Sequence, residues 1–343
     1  MTKVAAAAVD LGSSSGRVVV GTLKDERLLL EEVHRFPHGA HAVDGELVWD
    51  LDRLEEQIGV GIAKALADRS VPVASVAVDT WGVDYVLLAA GDEPYGQARA
   101  YRDPRTGAVA GEFYSRATRE QRWERSGIRP DDMNTANQLF ADLVCDPHLR
   151  QRVERVLLLP DYFAYRLSGE MGWGRSICST TGLCEPGGLR WSEELLDLSG
   201  IPREWVGPVQ PDGAARGRLR HGRCDGVFGV GVAVVNAAGH DTACAVHALP
   251  KADDTAAAFI SSGSWSIVGV ETPAPVLGRA AFDAQLTNEA RADGGNQLIA
   301  NLTGLWILQE CQRQWDDEGD HCGIEELLAL AGRADSRTPD MVS

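Results

Sequence analysis

The chain has 343 residues, 44% of them hydrophobic and 24% charged, with a formal net charge of −17. This is the balance of a globular protein long enough for two domains, and its acidity argues against nucleic acid or an anionic membrane as the main partner. No apolar run is long enough to span a membrane, and the opening "MTKVAAAAVDLG" reads as a buried strand rather than a signal peptide.

The first strand, "VAAAAVD", ends in Asp10, and "DLGSSSGR" turns the chain into a second, "RVVVGTL", followed by a third, "RLLLEEVHRF". The turn offers small hydroxyl and N–H donors beside a carboxylate. Such a set suits an anion with a cation between it and Asp10, phosphate plus Mg²⁺ being the natural pairing. The same residues also suit an ordinary β-hairpin. Next, "HRFPHGAH" brings His34, His38 and His41 close in sequence. Pro37 and Gly39 interrupt it, which favours a loop at the rim of a pocket over a metal site.

"LVWDLDRLEEQIGVGIAKALADRS" has a helical period, with Leu51, Leu54, Ile58, Ile62, Ala65 and Leu66 on one face and Asp50 as N-cap. "VASVAVDTWGVDYVLLAAGDEPYG" gives strand, turn, strand and a Gly-Asp turn. Asp79 and Asp84 flank the "TWGV" turn and suit either hydroxyl binding or shaping of the turn. Trp81 suits a pocket wall or the core. Residues 110 to 170 read as helical, ending in "LLLPDYFAYRLSGE", and residues 211 to 228 as loop with short strands. In "AAGHDTACAV", Asp241 stands where a strand gives way to a helix. It suits an N-cap, the commoner use of such a residue, and it suits a general base. "AAAFISSGSWSIVGVE" repeats the pattern of the opening hairpin, as two similar domains would. The seven cysteines form no C-x-x-C pair and lie in apolar contexts such as "TACAV", which points to free thiols and a reducing, cytoplasmic compartment. Strand hairpins mixed with helices indicate an α/β layout with a mixed sheet.

"VDLGSSSGR", "HRFPHGAHAVDGELVWD", "VDTWGVDYVLL", "AYRDPRT", "RSGI", "LLLPDYFAYRLSG", "GHDTACAV", "SSGSWSIVGVE" and "NLTGLWILQ" occur in this order between residues 4 and 310. In this the chain resembles the FGGY sugar kinases of the actin-like ATPase superfamily, and "DTWGVD" is similar to the branch that phosphorylates L-rhamnulose at O1 with ATP and Mg²⁺. The resemblance implies two ribonuclease H-like domains around a cleft, residues 1–246 and 247–343, with the second incomplete. It implies that Ser13, Ser14, Ser15, Gly16 and Arg17 hold the ATP phosphates, that Asp10 faces Mg²⁺ and that Ser264 and Gln309 touch the nucleotide. It implies Asp241 as the base and Gly82, His240, Asp241, Thr242 and Asn301 as sugar contacts. Gln309, eight residues after Asn301, is expected two turns along the same helix. Arg102, Asp103 and Arg105 also match the family and suit ion pairing within the domain.

The family's later glycine-rich segment, which holds adenosine, has no counterpart here, so weak nucleotide binding is expected. Two other functions fit the same features. One is a kinase for another deoxyketose such as L-fuculose. The other is a catalytically weak sugar-binding remnant. In each case the partner is a small ketose, and the residues do not fix the oligomeric state.

Overall fold

The computed structural model describes residues 3–67, 69–220, 231–250, 258–263 and 265–333. The chain divides into two compact units, Met1–Phe259 with Gly269–Ala300, and Ile260–Val268 with Asn301–Ser343.

The larger unit is built on a six-stranded mixed sheet. Its order is Ala215–Arg218, Ala233–Val235, Val73–Thr80, β1 (Val4–Leu11), β2 (Ser15–Lys24) and β3 (Arg27–Pro37). The alternation in β1 puts Ala5, Ala7, Val9 and Leu11 inward, where all four are buried. β1 runs antiparallel to β2, with Asp10 opposite Arg17. It runs parallel to Val73–Thr80, with Asp10 beside Asp79. β2 and β3 are joined through Asp25 and Glu26, both at positive φ (50° and 61°), the backbone of a two-residue hairpin turn.

Helix α1 (Leu51–Leu66) lies on this sheet. Asp50 caps it by accepting from Arg53 N at 3.0 Å, and Leu54, Ile58, Ile62 and Ala65 are buried as the 3.6-residue period requires. Gly61 lets the helix approach Val18, since a Cβ there would lie 2.3 Å from Val18 Cγ2.

The segment from 110 to 170 departs from the helical reading. Helices Arg105–Arg116, Arg119–Ser126 and Thr135–Cys145 form, but Val153–Leu158 is a strand antiparallel to Tyr85–Ala89. Its Val153, Val156, Leu157 and Leu158 are all buried, and a short apolar run buried on both faces carries no period that separates strand from helix. Helix Leu159–Ser168 follows directly, with Pro160 in its first turn. Ionic ties also lie in this core. Arg216 Nη2 donates to Asp161 at 2.8 Å, and Arg105 Nε donates to Asp142 at 2.8 Å.

Farther on in the larger unit, Thr287–Ala290 pairs antiparallel with the start of Asn296–Thr303, Thr287 opposite Ile299. In the smaller unit, helices Trp306–Glu318 and Ile324–Ala331 are the main elements. Here the expectation of one helix through Asn301 and Gln309 is corrected. Asn301 lies in the strand and Gln309 in the helix. Gly304 separates them, and a Cβ at that position would meet Gly263 O and Ser266 Oγ at 2.6 Å. No helix among the described residues is long and apolar enough to cross a membrane.

Candidate active site

Three segments of the larger unit end at the same place: β1 at Asp10–Leu11, Val73–Thr80 at Asp79–Thr80, and the loop entering helix Asp241–His247. Backbone pairing fixes this convergence. Asp10 is in register with Asp79, Thr80 bridges to His240, and Thr80 N donates to Gly239 O at 3.0 Å. Asp241 is the first residue of its helix and His240 takes the N-cap position, so the N-cap reading of Asp241 does not hold. Its Oδ1 accepts from Thr242 N at 2.6 Å and Thr242 Oγ1 at 3.2 Å, and the side chain keeps 36% of its surface open.

Burial and a neighbouring carboxylate raise the pKa of both Asp79 and Asp241. Asp79 is held well above the ordinary carboxylate range, first by burial and then by Asp10 and Asp241. Asp241 is also raised, by burial and by Asp10, against the lowering effect of His240 and the Thr242 donors. Arg17 Nε donates to Asp10 Oδ2 at 2.7 Å.

His240 sits between two carboxylates. Its Nδ1 is 3.2 Å from Glu289 Oε2, and its Nε2 is 3.3 Å from Asp241 Oδ1. Burial opposes its charge, but Glu289, then Asp241 and Asp79, outweigh burial and push its pKa up to about 9. The imidazolium therefore prevails at neutral pH. Gly82 faces the same ring: a Cβ there would lie 3.4 Å from His240 Nε2. Glycine thus leaves open the edge of the ring from which Nε2–H donates.

The flanking turn is shaped by Asp84. It is buried and accepts from Trp49 Nε1 (2.7 Å), Trp81 Nε1 (2.9 Å) and Gln138 Nε2 (3.1 Å). Burial raises its pKa to about 6 against those three donors. Of the two roles open to Asp84, the structure shows the structural one, and Trp81 is a core residue. Its indole lies 4.2 Å from that of Trp49 and its ring 5.6 Å from that of His38. Val83, at φ 68°, is a strained β-branched residue in this turn, held by Thr135 Oγ1 donating to its carbonyl at 2.7 Å.

In the serine turn, Gly12 N donates to Ser15 O at 3.0 Å, and Ser14 is exposed. Gly16 has a packing role of its own, because a Cβ there would come within 2.3 Å of Phe36 and 2.8 Å of Leu11. The three histidines of "HRFPHGAH" diverge. His34 Nε2 meets Gln57 at 2.9 Å, whereas both ring nitrogens of His38 are buried without a partner at hydrogen-bond geometry. Among the described residues no cluster of three His, Cys, Asp or Glu is arranged to hold a metal. Arg105 and Asp103 are structural: Asp103 accepts from Leu47 N (2.8 Å) and Arg105 N (3.0 Å). In the smaller unit, Asn301 Oδ1 is buried without a partner. Ser264 lies outside the described residues.

Glu289, 49 residues beyond His240, was not singled out in the sequence. "LTNEA" has no spacing relation to "GHDT", and only the fold brings the two together.

The comparisons agree with this architecture. Residues 5–247 match the N-terminal domain of the FGGY family of carbohydrate kinases. The chain belongs to that family. Among solved structures, the gluconate kinase from Lactobacillus acidophilus superposes with a TM-score of 0.79 at 13% identity, over 97% of this chain and 66% of that one. The xylulose kinase from Rhodospirillum rubrum gives 0.78 at 17% identity, over 98% and 68%. Plasmodium falciparum glycerol kinase with ADP gives 0.73 at 14% identity, over 90% and 64%. They share its mixed α/β fold, and the chain spans about two thirds of their length.

Proposed function

We propose that this chain serves ATP-dependent phosphorylation of L-rhamnulose at O1, with residues 1–246 as its N-terminal domain. The observation that carries the reading is Asp241, opening a helix beside Asp10, Asp79 and the His240 imidazolium. Membership of the FGGY family supports the reaction class, and the order of motifs around "DTWGVD" supports the sugar.

Phosphoryl transfer needs an in-line nucleophile, neutralised charge and little covalent work from the protein. The sugar O1–H gives its proton to Asp241, O1 forms the bond to the γ-phosphorus, and the bond to ADP breaks. A carboxylate whose pKa is raised by burial holds that proton more readily than a solvated one. His240 donates toward the sugar from the open edge beside Gly82, and Thr242 and Asn301 complete the sugar contacts. Ser13, Ser14, Ser15, Gly16 and Arg17 hold the phosphates, with Ser264 and Gln309 contributing to the nucleotide.

The donors would suit Mg²⁺, because Asp10 and Asp79 stand in register on adjacent strands and both offer hard carboxylate oxygens. Asp10 would hold the ion, which neutralises phosphate charge when bound.

ADP release is measured with L-rhamnulose, L-fuculose and D-xylulose, alongside the melting temperature with each sugar. Turnover with L-rhamnulose at least tenfold above the others is expected. Thermal stabilisation by L-rhamnulose without turnover would replace the kinase by a sugar-binding protein. Neither effect with any of the three would overturn the reading.

A further inference from the structure

β3 is the outer strand of the six-stranded sheet, and among the described residues no strand pairs with its free side. Its first residues read Arg27-Leu28-Leu29-Leu30-Glu31, and the three leucines are 62%, 57% and 70% exposed. Edge strands are ordinarily short, charged or bulged, since unpaired N–H and C=O groups beside apolar side chains invite another strand. A leucine triplet at such an edge stands against that rule in a chain with a net charge of −17.

We propose that this edge is the contact surface for a second copy of the same chain, with β3 pairing antiparallel to its own counterpart about a two-fold axis at Leu29. The hairpin fixes which groups are free. Lys24 and Arg27 close the two-residue turn and so form a hydrogen-bonded pair. Alternation then turns the N–H and C=O of Leu28 and Leu30 outward and those of Leu29 inward. With the axis at Leu29, Leu28 of one copy faces Leu30 of the other. Both have their backbone groups outward, so two hydrogen-bonded pairs form around a central non-hydrogen-bonded Leu29 pair.

The charges agree with the same register. Arg27 falls opposite Glu31 of the second copy, twice by symmetry, in non-hydrogen-bonded positions where side chains approach most closely. Glu31 is bridged to Arg69 at 2.8 Å yet its side chain is 64% exposed, so it remains open to a second cation. Glu32 is paired with Arg35 and Glu26 lies in the turn, which limits the ribbon to five residues per copy. On the face away from α1, Leu28 and Leu30 lean over Gly21, whose Cβ would stand 3.4 Å and 3.6 Å from them. Pairing brings four such leucines together there. The isologous contact is self-complementary, as a two-fold axis requires.

The whole 343-residue chain is followed by sedimentation velocity from about 1 to about 100 μM, the range of small interfaces. A monomer–dimer equilibrium is expected, and Leu29→Lys, which sets like charges at the axis, should weaken it at least tenfold with the far-ultraviolet dichroism unchanged. Leu29→Cys should form a disulfide-linked dimer under mild oxidation well above the native chain's background, and Leu28→Cys much less, because only position 29 meets itself. A chain that is monomeric throughout, or a self-association that Leu29→Lys leaves intact, would overturn the proposal. Equal cross-linking at 28 and 29 would overturn the register.

Discussion

His240 Nδ1 lies 3.2 Å from Glu289 Oε2, and Gln297 Nε2 donates to the same oxygen at 3.1 Å. This contact fixes the ring, so that its other nitrogen faces Asp241 and the open side of Gly82. Glu289→Gln removes the charge and keeps the shape. The His240 midpoint, read by NMR, should fall from about 9 by roughly 1–3 pH units, the usual effect of one adjacent opposite charge. The stability follows with a defined sign. A folded pKa above the unfolded value contributes stability in full below about pH 6.5, and loses it as pH rises through about 9. Denaturation curves of the native chain should lose stability across that window, and those of Glu289→Gln should lose less. An unchanged His240 midpoint would show that the contact does not set its charge.

Asp241→Asn keeps the size of the side chain and removes its basic site. In a kinase-competent chain, kcat should fall about 10²–10⁴-fold, with sugar affinity within a few-fold. Single-turnover measurement of ADP release separates the two effects, and near-normal kcat would free Asp241 from the role of base.

Ser14→Val combined with Ser15→Val places branched apolar groups in the serine turn. The ATP KM, or the Kd for ATP, should rise at least tenfold, while L-rhamnulose binding followed by tryptophan fluorescence stays within a few-fold. Equal loss of both ligands would make the turn a purely structural element.

Gly16→Ala tests packing apart from phosphate binding. The added methyl meets Phe36 and Leu11 well inside contact distance, and overpacking of that kind costs about 1–3 kcal/mol. Ser14→Ala, at an exposed position, should change stability by no more than about 0.5 kcal/mol. Urea unfolding of the two variants compares them directly, and equal midpoints would remove the steric account of Gly16.

Local chemistry was readable where it was decided locally. Asp50 before an amphipathic period of Leu54, Ile58 and Ile62 is enough to start and orient α1, because cap and buried face agree. Val153–Leu158 was not readable, since a run buried on both faces carries no period. Counting residues from Asn301 to Gln309 assumed one helix. The strand end between them is imposed by the close approach of Gly304 to Gly263 and Ser266, a tertiary fact. The glycine and serine turns were legible as turns through composition. Glu289 was not legible, because a buried carboxylate in a strand acquires meaning only from what the sheet sets opposite it.

The indoles of Trp49 and Trp81, joined through the one carboxylate of Asp84, are close enough for their excited states to mix. The folded chain should therefore carry a coupled chromophore, whose circular dichroism is expected to be a signed pair of bands rather than the sum of two separate rings. Trp81 immediately precedes Gly82, so a sugar bound there as proposed should alter the polarisability around one indole more than the other and unbalance the couplet. The amplitude of that couplet should then report occupancy of the proposed sugar site without a label.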